Sequence, residues 1–146
     1  MPTDDALTDD AARRPSPLVT DDSAVFWEAA AEGRLVAERC GNCARLRHPP
    51  RPMCPYCQSL EVEVAELSGR GQVYSYGILH HPKSPAFDYP VIGVLVDLDE
   101  GVRLVSNLTD LDPDGVRIGL PVEVHYVPTA AGPTVPVFRP RSEARS

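Results

Sequence analysis

Four cysteines in two close pairs, Cys40-Gly41-Asn42-Cys43 and Cys54-Pro55-Tyr56-Cys57, constrain this chain more than any other feature. Each pair offers two thiolates from one tight turn, and the ten residues between the pairs are enough chain to fold the second turn back on the first. Four sulfurs in a tetrahedral shell suit Zn(II), and four protein ligands leave no open position for substrate, so the expected metal is structural zinc on Cys40, Cys43, Cys54 and Cys57. Iron in a rubredoxin-like centre, and with it an electron carrier, is the alternative because it uses the same shell. Two disulfides would need an oxidising compartment. The N-terminus, Met1-Pro2-Thr3-Asp4-Asp5, is acidic and has neither a basic n-region nor an apolar h-region, so reduced thiols and a cytoplasmic location are expected.

Charge narrows the choice of partners. The formal net charge is −7, but six aspartates and two arginines put −4 of it in residues 1–24. Around the metal turns the sign reverses: Arg39, Arg45, Arg47 and Arg51 fall between positions 39 and 57 with no acid among them. With a zinc–thiolate cluster at −2, that segment nets about +2. It suits a phosphorylated ligand or an acidic partner, or else a solvated ribbon whose arginines offset the cluster. No apolar stretch reaches the length of a membrane-spanning helix.

Along the chain, residues 1–20 carry almost no large apolar groups and are expected to form a disordered acidic arm. Residues 21–66 are expected to form a helix and the ribbon. Asp21, Asp22 and Ser23 offer capping chemistry, the helix runs from Val25 to Glu32, and Gly33 stops it. Leu35–Arg39 is expected as a strand into the first metal turn, with Arg45–His48 as a short return. Leu60–Leu67 alternates apolar and acidic residues as a strand with one wet face. Residues 67–140 read as all β: glycines at 69 and 71 open a strand over Gln72–Leu79, Val91–Asp97 follows a proline-rich loop, and Asp99-Glu100-Gly101 turns into Val102–Leu108. Leu120–Val127 and Val135–Phe138 close the set. Five or six short strands in so short a stretch suit a small closed OB-type barrel; residues 141–146 form a tail.

Candidate chemistry beyond the metal is sparse. His48 lies near a shell that is already complete; His80 and His81 are neighbours on a strand end and point to opposite faces. Asp97, Asp99 and Glu100 sit at a hairpin turn, where solvated charge is the expectation. Gly69-x-Gly71 is no phosphate loop, because no helix follows it. Tyr74 and Tyr76, spaced to share one strand face, would let an OB barrel stack single-stranded nucleic acid. The barrel's five basic residues against eight acidic ones speak against that partner.

The order of Phe26-Trp27 in a short helix, Gly33-Arg34-Leu35, Cys40-x2-Cys43, Pro49-Pro50-Arg51-x2-Cys54-Pro55-x-Cys57, Gly69-Arg70-Gly71-x-Val73-Tyr74-Ser75-Tyr76, Gly119-x-Pro121-Val122 and Val137-Phe138-Arg139-Pro140 is similar to the zinc-ribbon plus OB-fold proteins called "domain of unknown function thirty-five", over about residues 24–140. The resemblance implies a mostly β chain: an N-terminal helix, a rubredoxin-like four-cysteine zinc ribbon and a small OB-fold barrel. It implies an accessory subunit without activity of its own, in a heterodimer or heterotetramer with a thiolase-superfamily or lipid-transfer-protein-like aldolase, including those of steroid side-chain degradation. Some members pair with MaoC-like enoyl-CoA hydratases. Phe26 and Trp27 would be docking residues, and Arg45, Arg47 and Arg51 would approach the phosphates of an acyl-CoA. Nucleic acid and membrane are not expected partners. The acidic arm departs from the family pattern.

Overall fold

A computed structural model describes residues 14–141. The first element among the described residues is helix α1, Ala24–Ala31. Gly33, at φ +77°, supplies the left-handed residue that ends it, and the amides of Gly33 and Arg34 close back on the carbonyls of Ala30 and Ala29 in a Schellman arrangement. Ser23 stands at the N-cap position, but its hydroxyl turns back to Thr20 and makes no cap bond to the helix. Phe26, Ala29 and Ala30 form the buried face, and the two alanines let the backbone approach closely.

A three-stranded antiparallel sheet follows, β1 Leu35–Cys40, β2 Leu46–Arg47 and β3 Val62–Leu67, in the order β2-β1-β3. The β1–β3 register runs unbroken from Leu35 opposite Leu67 to Cys40 opposite Val62. Ala65 and Leu67 are buried, whereas Val62 and Val64 are exposed. The apolar alternation of this segment changes phase at Val64-Ala65, so the expectation of one apolar and one wet face along the whole strand fails there: its first half turns valines outward.

The remaining strands, β4 Arg70–Leu79, β5 Val91–Leu98, β6 Arg103–Leu108, β7 Pro121–Val127 and β8 Val135–Pro140, close a barrel in the order β4-β5-β6-β8-β7. All neighbours are antiparallel except β6 and β8, whose parallel seam has a single registered pair, Leu108 with Phe138. This is the OB arrangement expected from the strand count. Its interior is filled by Val73, Val96, Val122 and Phe138, all fully buried. β8 is buried on both faces, because α1 packs against it from outside and Thr134 Oγ1 donates to the Ala30 carbonyl.

At the opening of β4 the two glycines serve different ends. Gly69 adopts φ +80°, and a Cβ on Gly71 would collide with the Asp97 carbonyl oxygen of β5. A bulge falls further along the strand, between Val73 and Ser75. It places Tyr76 opposite Val94, while Tyr74 carries the Arg103 guanidinium 3.6 Å from its ring centre; both rings stay exposed, at 42% and 44%. The two tyrosines therefore do not share a strand face, contrary to the two-residue spacing.

The arm expected to be disordered to residue 20 has structure in its last part. Ala130 N donates to the Arg14 carbonyl, Ser16 Oγ donates to Thr129 Oγ1, and Arg14 Nη1 donates to Asn107 Oδ1, so residues 14–16 lie against the barrel. The rest of that expectation, residues 1–13, and the tail over residues 142–146 fall outside the described residues.

Candidate metal centre and ribbon surface

β1 delivers Cys40 at its last residue, and the chain then makes two matching knuckles. In the first, Cys40 N donates to the Arg45 carbonyl, Ala44 N donates to the Cys40 carbonyl, and Ala44 takes φ +66°. In the second, Cys54 N donates to the Ser59 carbonyl, Gln58 N donates to the Cys54 carbonyl, and Gln58 takes φ +66°. Backbone N–H groups of Asn42 and Cys43 point at Cys40 Sγ from 3.3 and 3.4 Å, and Tyr56 N points at Cys54 Sγ from 3.4 Å.

The four sulfurs lie within 4.8 Å of one another, with Cys40–Cys57 at 3.5 Å and Cys43–Cys54 at 3.7 Å. Zn–S bonds of about 2.3 Å in a tetrahedron put sulfurs about 3.8 Å apart, so the cage fits. Without a cation the four sulfurs do not ionise together. The N–H donors of Cys43 and Asn42 bring Cys40 down to about 6, which makes it a thiolate at neutral pH. Cys43 receives the Arg45 N–H, but burial and the neighbouring thiol groups push it up to about 11. Four thiolates can coexist only around a cation. Cys40, Cys43, Cys54 and Cys57 thus form a structural zinc site, closed to substrate.

The other expected site residues are placed as follows. Phe26 does not face out: it is 6% exposed, with its ring edge-on to Trp27 at 4.8 Å and tilted on His48 at 5.1 Å, because it is the large side chain on the helix face that closes over β1. In this position its ring backs Trp27 from inside. Trp27 is half-buried and lines a groove with Leu18, Pro49, Pro50 and Val105. Arg45 is exposed over the Tyr56 ring, 4.4 Å from its centre, and Arg51 is exposed.

Arg47 turns inward. Its Nε donates to Glu38 Oε1 at 2.8 Å and its Nη2 to the Arg51 carbonyl, and Glu38 Oε1 also accepts from Arg51 N. Two of its three nitrogens thus serve the metal loop, and its buried Nη1 has no hydrogen-bond partner among the described residues. Sequence reasoning missed Glu38 as its partner; the signal was that residues 36, 38 and 40 share one strand face, so Glu38 had to point where Cys40 points.

His48 is neither ligand nor catalyst here: it is packed on Phe26, and burial lowers its pKa, with Glu38 resisting. His80 and His81 are exposed. The hairpin acids are structural, Asp97 pairing with Arg103 at 2.6 Å and Glu100 accepting from Ser68 N. Thr109 Oγ1 and His125 Nε2 meet at 2.7 Å, and the threonine hydroxyl also reaches the Phe138 carbonyl, a tie across the barrel seam that the sequence did not reveal. Between the ribbon and the β5–β6 hairpin lies a cleft of about 630 Å³ lined by Arg51, Tyr56, Leu98, Val102 and Arg103.

Residues 27–63 match the rubredoxin-like zinc ribbon domain of ChsH2, and residues 64–127 match the C-terminal OB-fold domain of ChsH2. In a solved structure, "Ltp2-ChsH2(DUF35) aldolase", a chain 48% identical to this one superposes with a TM-score of 0.80 over 85% of this chain and 98% of that one. The chain belongs to the DUF35 family. A DUF35 domain-containing scaffold protein of Pyrococcus furiosus is 38% identical over 68% of this DUF35 chain and 74% of its own length. A probable enoyl-CoA hydratase alpha subunit of Thermomonospora curvata is 48% identical over 88% of the chain, and the 3-oxo-4,17-pregnadiene-20-carboxyl-CoA hydratase alpha subunit of Mycobacterium tuberculosis is 38% identical over 84%. The DUF35 chain spans about 40% of the length of those two curated relatives.

Proposed function

We propose that this chain is a non-catalytic accessory subunit that docks on and stabilises a thiolase-superfamily enzyme, together forming an aldolase that cleaves a carbon–carbon bond of an acyl-CoA. The observation that carries this reading is the overlap with 98% of a chain of a solved aldolase at TM-score 0.80. The chain's own chemistry supports it: four thiolates fill the zinc shell, leaving the metal no Lewis-acid position. Relatives named for benzoylsuccinyl-CoA thiolase and for pregnadiene-carboxyl-CoA hydratase share a CoA thioester and differ in the acyl group. The steroid acid in the second name, together with the aldolase match, supports a steroid side chain as the acyl group.

Within this reading Trp27 and its groove contribute to docking, and the exposed Arg45 and Arg51 approach CoA phosphates beside the ribbon–barrel cleft. An electron carrier would need iron in the cage, and one zinc per colourless chain is the expected analysis. Nucleic acid is disfavoured by the acidic barrel and by the bulge that splits Tyr74 from Tyr76.

The test is purification of the chain from its native host, with co-eluting proteins identified and the assembly weighed by light scattering. A thiolase-like protein in fixed stoichiometry is the expected result, and a lone metalloprotein overturns the reading. On the complex, Arg45→Ala with Arg51→Ala should raise KM for the acyl-CoA and leave kcat unchanged; an unchanged KM removes the CoA contact.

A further inference from the structure

We infer that the free edge of β3 is a strand-addition site that takes up an extended segment of the partner enzyme in which apolar and basic residues alternate. The inference rests on the accessory-subunit reading for the identity of the partner and on the ribbon's geometry for the rest. β3 ends the sheet order β2-β1-β3, so among the described residues no strand pairs with its outer side. An edge strand left in this way presents unpaired N–H and C=O groups to any extended chain.

The side chains on this edge give the partner's chemistry. Leu60, Val62 and Val64 are 69%, 49% and 51% exposed, an apolar row at the period of a strand. Val62 and Val64 share the face of Cys40 and Glu38 across the sheet, while Ala65 and Leu67 are buried on the opposite face. Glu61 and Glu63 lie on that opposite face and are exposed. The edge is thus apolar from Leu60 to Val64 on one side, where Glu66 ends the row beside Arg34, and anionic over Glu61 and Glu63 on the other. A strand added to it needs apolar residues on one face and lysine or arginine on the other.

A second copy of this chain does not meet that demand. Antiparallel pairing of two β3 edges with Val62 opposite Val62 sets Glu61 opposite Glu63, and pairing Val62 with Val64 sets Glu63 opposite itself. Like charges directly opposite are unfavourable. Pairing Val64 with Val64 avoids that clash but sets Val62 opposite Glu66 and leaves Glu61 and Glu63 with no cation to meet them, so the charge pattern favours a basic partner over self-association.

The experiment has two arms on the full-length, zinc-loaded chain. In the first, a short synthetic peptide alternating valine and lysine is titrated and followed by amide NMR shifts, with a valine–glutamate peptide as control. Shifts confined to about residues 60–67, and binding about tenfold weaker in a Val62→Lys/Val64→Lys variant with unchanged zinc content, are expected. Glu61→Lys/Glu63→Lys should reverse the preference between the two peptides. Equal binding to both peptides, shifts elsewhere, or no shift overturns the inference.

In the second arm, wild-type chain and the Val62→Lys/Val64→Lys variant are each isolated from the native host. Loss of the thiolase-like enzyme from the variant alone is expected. An enzyme held equally by both overturns the strand-addition site and leaves the accessory-subunit reading intact. A wild-type chain that comes alone overturns that reading instead, and the peptide titration then decides the edge by itself.

Discussion

Arg47 and Glu38 meet at 2.8 Å with side chains 5% and 10% exposed, so each exists in the fold only because the other is there. Arg47→Met alone should leave the Glu38 carboxylate buried without its cation and cost about 3–5 kcal/mol, whereas Arg47→Met with Glu38→Leu should recover much of that, both measured by denaturant unfolding of the zinc-loaded protein. His48 predicts a pH effect of definite sign. A free imidazole protonates near pH 6.5, and burial holds His48 below that value in the fold. Above that pH both states are neutral. As the pH drops the unfolded chain takes up its proton first, so stability declines until the folded imidazole protonates too. His48→Gln should flatten the slope of stability between neutral and mildly acidic pH relative to wild type. The metal ligands were legible residue by residue, because C-x-x-C carries its geometry within four positions. The Arg47–Glu38 pair was not, because it joins strands nine residues apart through a loop whose path only the fold defines.

Elements were recovered more faithfully than the faces they present. The helix, the ribbon strands and the five barrel strands follow from alternation, glycine stops and turn residues, and each lies within a few residues of its expected place. What alternation does not show is a phase change. In β3 it passes unnoticed because valine and alanine are both apolar, and in β4 the bulge moves Tyr76 to the face opposite Tyr74 without altering the residue types around it. Glycine substitutions in β4 separate the two kinds of position. A methyl group at Gly71 meets the backbone of Asp97 and Leu98, which cannot move aside, so Gly71→Ala should destabilise by about 1–3 kcal/mol. At Gly77 nothing lies within 4 Å, so Gly77→Ala should change the melting temperature little.

For the whole molecule the decisive fact is that one apolar cluster runs from the ribbon into the barrel, joining Phe26, Leu35, Ala37 and Leu67 to Val73, Val96 and Phe138. Removal of zinc by a chelator should therefore lower a single melting transition, with Trp27 fluorescence and far-ultraviolet circular dichroism moving together; two separated transitions would show the halves to be independent. The barrel itself is a ring with a clasp. Four of its five junctions are antiparallel ladders, and the fifth has the single registered pair Leu108–Phe138, helped by Thr109 N donating to the Phe138 carbonyl at 2.8 Å and by the hydroxyls of Ser106 and Thr109 reaching the carbonyls of Pro136 and Phe138. A junction so short, between residues thirty apart in sequence, recovers little enthalpy for the chain entropy it removes. It should close last during folding and open first in the native state, and in hydrogen–deuterium exchange the amide of Thr109 should exchange ahead of the amides within the β4–β5 ladder.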